Sequence, residues 1–242
     1  MQLKKYIHKL ARSMGFDFYA LKDKFKSEEV KLRWLKSKNI KTVLDIGANE
    51  GQFAKMARNI LPNAKIISFE PIEECFNKLI LNLKNDNNFQ AFKVAIGETE
   101  SDSEIYVNDY SPSSSLLEID DLHVKNFSNT AKTHKEQIKI KPLDSYDDLN
   151  LAKPLLVKID TQGYESKVID GATKVLGKAD IILIELTYKQ LYKEQNLFHD
   201  IYSKLYKIGF EYHGNYENLF SPTDGSALQS DGIFIKRQFN NK

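Results

Sequence analysis

VLDIGANEGQF, residues 43–53, joins an apolar run to an acid and then to two glycines. Val43, Leu44 and Ile46 predict a short buried strand. Gly47 and Gly51 allow the chain to turn tightly beneath a ligand before a helix begins. The same pattern also serves an ordinary strand-to-helix connection, so the rest of the chain must decide between a binding turn and a structural one.

Downstream, apolar runs alternate with amphipathic stretches. Phe53, Met56, Ala57 and Ile60 share one helical face, ended by Pro62 and Asn63. Strand two is KIISFEP, 65–71, and a second helical stripe follows through Cys75, Phe76, Leu79, Ile80 and Leu83. Strand three is FQAFKVAIG, 89–97, strand four LLVKIDTQGYE, 155–165, and strand five IILIELTY, 181–188. A helix carrying Val168 and Ile169 ends at Gly171, and the longest helix is expected from about 189 to 208. FEYHGNY, 210–216, and DGIFIK, 231–236, close the chain as an antiparallel pair. Strands separated by helices of 10 to 15 residues predict right-handed βαβ units on a mostly parallel sheet with helices on both faces. The regularity breaks at 98–148, where EIYV (104–107) predicts an edge strand, SPSSSLLE (111–118) a polar loop and IKIKPLDSY (138–146) another short strand. A long insertion between core strands is the candidate substrate loop.

The 242 residues predict one α/β domain over 41–242 with an N-terminal helical extension over 1–40. Leu3, Tyr6, Ile7, Leu10 and Met14 mark a first amphipathic helix. A second is expected over 27–38, capped by Ser27 and packed on the sheet edge through Val30, Leu32, Trp34 and Leu35. Residues 1–41 carry 12 Lys and Arg against 4 Asp and Glu, so the net +2 divides into +8 there and −6 beyond. A solvated helix is the favoured reading of that charge over contact with an anionic membrane surface, nucleic acid or the chain's own acidic face; peripheral membrane contact is kept as the alternative and no nucleic-acid partner is expected. Apolar runs of strand length predict no membrane span, the amino terminus lacks an apolar signal region, and a lone Cys75 excludes an internal disulfide. The expected location is the cytoplasm.

Asp45, Glu70 and Asp160 end strands, and Glu185 lies near the end of another. In open α/β sheets the ligand sits beyond the carboxyl ends of the strands, so these acids converge there. Glu70, with Pro71 directly after it, follows Asp45 by 25 residues, near the offset at which an acid accepts both hydroxyls of a ribose. A dinucleotide turn presents bare amides to a pyrophosphate. Here Asp45 precedes the turn and Glu50 lies inside it, a charge pattern that opposes pyrophosphate and suits an ammonium and a sulfonium. S-adenosylmethionine fits that pattern.

DIGANEGQFA, SFEP, KVAIGE, SSSL and LVKIDTQGYESKVIDGA together resemble the FkbM-type family of class I S-adenosylmethionine-dependent methyltransferases, over roughly residues 40–237. The resemblance implies a Rossmann-like seven-stranded sheet with its last strand antiparallel, and O-methylation of a hydroxyl on a sugar or secondary metabolite. Gln162 stands where relatives usually carry an acid. Asp45 is assigned to the methionine amino end and Gly47, Ala48, Asn49 and Gly51 to close backbone approach. Glu70 is assigned to the ribose and Val94 and Ala95 to the adenine, with Pro71 also counted among the cofactor-binding residues. Methyl transfer needs an oxygen held on axis and a group to take its proton. Asp160 is the first candidate for that group and Glu185 the second, with His123, His134 and His213 behind them. No tight ligand cluster calls for a metal. A nucleotide-sugar oxidoreductase or epimerase using NAD, and a non-catalytic S-adenosylmethionine-binding module, remain open alternatives.

Overall fold

The computed structural model describes residues 28–240 except 109–110, 128–129, 131 and 147. The first amphipathic helix and the Ser27 cap therefore lie outside the described residues. Residues 28–32 are helical and continue as a 3-10 turn over Arg33–Lys38. They bury Leu32 and Leu35 against the sheet with Trp34 partly covered beside them, but Val30, expected in the same packed stripe, is exposed.

β1 (Thr42–Ile46), α1 (Gln52–Ile60), β2 (Lys65–Phe69), α2 (Glu73–Leu83) and β3 (Phe89–Phe92) form two consecutive βαβ units. After the insertion come β7 (Leu155–Ile159), α4 (Glu165–Asp170), α5 (Thr173–Lys178), β8 (Ile181–Thr187), α6 (Phe198–Lys207), β9 (Phe210–Phe220) and β10 (Ala227–Lys236). The seven-stranded sheet has the order β3-β2-β1-β7-β8-β10-β9. β10 pairs antiparallel with both β8 and β9, and the other neighbours pair parallel. The order reverses between β1 and β7, which makes their carboxyl ends the place for a ligand cleft.

The sheet is apolar on both faces because helices cover both, so its strands read as continuous hydrophobic runs. Leu44, Ile46, Val157, Ile159, Ile182 and Ile184 face α4, α5 and α6, and Val43, Ile66, Leu156, Ile181 and Leu183 face α1 and α2. Alternation along each strand then places Asp45, Lys158 and Glu185 on the α1 side. Register sets Asp45 beside Lys158, and Glu185 beside Asp231.

The expected strand 89–97 is two strands. β3 ends at Phe92, and β4 (Ala95–Ile96) leaves for a second sheet with β5 (Ser101–Asn108) and β6 (Thr133–Lys141), in the order β4-β6-β5. Ile72 and Cys75 pack on it with Ala95, Ile105, Ile138 and Ile140, a cluster that could not form if 89–97 stayed in one sheet. The serine run is also structured: Ser113 and Ser115 are buried, and Tyr106 and Ser115 exchange backbone bonds of 2.8 and 3.0 Å. A short helix, α3 (Asp121–Asn126), completes the insertion.

The long helix expected over 189–208 is only α6. Leu191 and Tyr192 are instead buried beside Leu117, Ile119 and Leu122, and Ile119 bridges Tyr192. Asp200 accepts from the Leu197 amide at 3.1 Å and starts the helix there. Apolar residues that suit a helical stripe are used here to clamp the insertion.

Candidate functional site

The turn after β1 uses left-handed backbone at three positions, Gly47 (φ 78°), Asn49 (φ 48°) and Gly51 (φ 87°). A Cβ on Gly47 would lie 1.8 Å from the Asp160 carbonyl oxygen, because the ends of β1 and β7 converge there. A Cβ on Gly51 would meet Leu79 at 2.8 Å. Both glycines are therefore required by the protein's own strand and helix contacts, whereas the sequence reading assigned them to ligand approach. The Gly47 and Ala48 amides donate to the Phe69 carbonyl at 3.0 and 3.1 Å and tie the turn to β2.

Glu70 is buried directly after β2. It accepts the Asn49 amide on Oε2 at 2.8 Å and the Ile72 amide on Oε1 at 2.9 Å. Burial still pushes its pKa up to about 7. A cavity of about 460 Å³ opens above it. Gly47, Ala48, Asn49, Glu70, Pro71, Val94, Ala95 and Asp160 all line this cavity. Serines 111 and 114 line it as well, and Ser111 donates to Asn49 Oδ1 at 3.3 Å, so the insertion forms part of its wall.

Three assigned residues are not on that wall. Gly51 is held back as described. Asp45 is fully buried beneath the turn, with Ser68 Oγ at 3.5 Å and one oxygen lacking a hydrogen-bond donor. Burial raises its pKa to about 6 against the opposing pull of Lys158, whose Nζ is 4.0 Å away. Glu185 lies behind Gln162 and has its Oε2 enclosed without a partner. Its pKa is raised well above the usual range by burial first and by Asp160 next. Glu50 also faces away, paired with Lys78 at 2.9 Å. The acidity that opposes pyrophosphate thus comes from other side chains than the one read inside the turn.

Those side chains are Asp160, Asp231 and Glu28, which line the cavity with Lys158, Tyr216 and Phe53. Asp160 accepts Lys158 Nζ on one oxygen at 2.9 Å and Gln162 Nε2 on the other at 2.7 Å. Gln162, at φ 52°, donates also to Glu185 Oε1 at 3.0 Å, and its side-chain Oε1 accepts the Tyr192 hydroxyl at 3.0 Å. An amide at this position supplies a donor to each of two neighbouring carboxylates, which an ionised acid there could not do. Glu165 fixes the turn beneath, accepting the Thr161 amide at 2.8 Å and the Gly163 amide at 3.1 Å. Burial lifts its pKa to about 7.

Asp231 has its pKa pushed up to about 7 by burial and then by Asp160. Lys158 and Asp231 are absent from the sequence assignment, although a signal exists: Lys158 is the one charged residue of the strand LLVKI and shares a sheet face with Asp45. The histidines stand apart. His123 is packed edge-on between Phe127 and Tyr192, and burial lowers its pKa. His134 and His213 are exposed on β6 and β9.

A mostly parallel sheet with an antiparallel β10, an acid held at the end of β2 and a cavity over the β1–β7 switch point define a Rossmann-like α/β protein with its candidate ligand cleft at the carboxyl ends of the strands. The methyltransferase FkbM domain model matches residues 45–212, and the chain belongs to that family. The chain is 25% identical over 165 residues to the 2-O-methyltransferase NoeI of Sinorhizobium fredii, covering 63% of this chain and 66% of that protein. Its fold is similar to the crystal structure of methyltransferase FkbM from Methylobacillus flagellatus KT, with a TM-score of 0.51 and 14% identity over 81% of this chain and 44% of that one. The chain thus spans about two thirds of one relative's length and under half of the other's.

Proposed function

We propose that the chain is an S-adenosylmethionine-dependent methyltransferase acting on a hydroxyl of a sugar, glycan or secondary metabolite. The charge of the cavity carries this reading: among the described residues, Glu28, Glu70, Asp160 and Asp231 line it against one cation, Lys158. Bringing a pyrophosphate into that wall would set like charges together at low dielectric, whereas a sulfonium and an ammonium are attracted. The NAD alternative is disfavoured on that ground.

The residues present fit the cofactor. Each Glu70 oxygen has one backbone donor and further acceptor capacity for ribose hydroxyls. Val94, Ala95, Pro71 and Ile72 offer an apolar slot for a purine. When bound, S-adenosylmethionine supplies an electrophilic methyl group, and the accepting hydroxyl must release a proton. Asp160 is the carboxylate on the cavity wall placed to orient that hydroxyl and take the proton. Glu185 is enclosed and acts on Asp160 through Gln162. The serine loop and the rest of the insertion choose the acceptor, and the name of the relative NoeI supports a hydroxyl acceptor. The cytoplasm remains the proposed location; among the described residues no helix is long and apolar enough to cross a membrane.

Methyl release from labelled cofactor in the presence of candidate glycans tests the activity, with Asp160→Asn as control. Turnover by Asp160→Asn equal to the parent would remove Asp160 from the proton-accepting role. No transfer to any hydroxyl, with transfer to a nitrogen or carbon acceptor instead, would overturn the O-methylation reading.

A further inference from the structure

Lys158 is a buried lysine in a strand whose other residues are Leu, Val and Ile. An apolar side chain would suit that position better, since burying an ammonium costs several kcal/mol on the order of magnitude and is recovered only with good partners. Lys158 has such partners and capacity to spare. Its Nζ donates one hydrogen bond, to Asp160, while Asp45 lies at 4.0 Å and the Phe53 ring centre at 5.7 Å. Among the described residues lining the cavity it is the one Lys, Arg or His. Asp231 lines the same end from β10, and the charges of Lys158 and Asp160 both act on it.

We infer that Lys158 and Asp231 together read the amino-acid end of the cofactor, Lys158 taking its carboxylate and Asp231 its ammonium. This rests on the S-adenosylmethionine reading above. A zwitterion needs a cation and an anion side by side at one end of the cavity, and these two supply them. Asp45, enclosed beneath the turn, acts behind them by holding Lys158 charged. Asp160 keeps one oxygen on Gln162 whichever way the Lys158 ammonium turns, so it remains available to the acceptor.

Calorimetry with three ligands tests the inference without an acceptor: S-adenosylmethionine, its decarboxylated form, and 5′-methylthioadenosine, which lacks the amino-acid end. The parent is expected to bind the first at least tenfold more tightly than the second. Lys158→Met should reduce that preference to within about twofold by weakening only the first ligand. Asp231→Asn should weaken the first two tenfold or more and leave the third unchanged. Because Lys158→Met strands carboxylates, Lys158→Met/Asp45→Asn, which removes the pair together, should show the same loss of preference with a restored melting temperature. A parent without preference, or a Lys158→Met variant that weakens all three alike, overturns the inference. A parent that binds none of the three overturns the cofactor reading itself.

Discussion

The two ends of the cavity are built differently. At the β2 end, Glu70 is held by backbone amides of Asn49 and Ile72, so the position of its carboxylate follows from the path of the chain. At the β7 end, Asp160 is held by side chains, Lys158 and Gln162, and Gln162 in turn by Tyr192. A group held by main chain survives most side-chain changes nearby, whereas one held by a side-chain network moves with each member. The first arrangement suits a constant ligand such as a nucleoside, and the second suits the place where the amino-acid end of that ligand meets a variable acceptor.

The largest effect is expected where the two ends meet. Gly47→Ala forces a Cβ onto the Asp160 carbonyl in left-handed backbone and should cost about 3 kcal/mol or more, enough to lower the melting temperature by 10 °C or so or to prevent folding. Next comes Glu70→Gln. Losing charge-assisted hydrogen bonds, each about 1.5–3 kcal/mol, should weaken nucleoside binding about tenfold to a hundredfold in a titration, and the melting temperature should fall as well, because a Gln side chain has one acceptor oxygen for the two backbone donors. Equal binding by Glu70→Gln would break the claim that the β2 end is the nucleoside end.

Acidity distinguishes this protein from one stabilised by paired carboxylates. Glu70, Glu165 and Asp231 have pKa values raised to about 7 and Asp45 to about 6, all by burial first. The folded state therefore binds protons more tightly than the unfolded state, and stability is lost as pH rises through those values. The melting temperature should fall between about pH 5 and pH 8, with Glu165→Gln flattening the slope. A rise over that window would contradict it. A smaller effect, about 1 kcal/mol, is expected for Tyr192→Phe, which frees the Gln162 amide to turn. Its mark should be altered acceptor turnover with unchanged nucleoside affinity. Least of all, breaking the exposed Lys31–Glu217 pair should shift stability by under about 0.5 kcal/mol in a denaturant titration.

The contrast also explains what could be read from the sequence. Strands β1, β2, β7 and β8 were legible because burial on both faces writes itself as unbroken apolar runs, and the acids Glu70 and Asp160 because they interrupt those runs at their ends. The split at Lys93 was not, since two residues of β4 carry no period and their partner β6 lies about forty residues on. Nor was the clamp at Leu191 and Tyr192, whose spacing suits a helix until the insertion is seen to cover them. The outward turn of Glu50 depends on Lys78, one helix away, and the importance of Lys158 on register with β1. Contacts between elements, rather than patterns within them, decided each of these.

The central claim is that this cavity holds a cationic amino-acid nucleoside. Isothermal titration of the parent protein with S-adenosylmethionine and, separately, with NAD tests it most directly. Saturable binding of S-adenosylmethionine, weakened tenfold or more in Glu70→Gln and matched by no heat from NAD, is the predicted result. Binding of NAD with none of S-adenosylmethionine would contradict it.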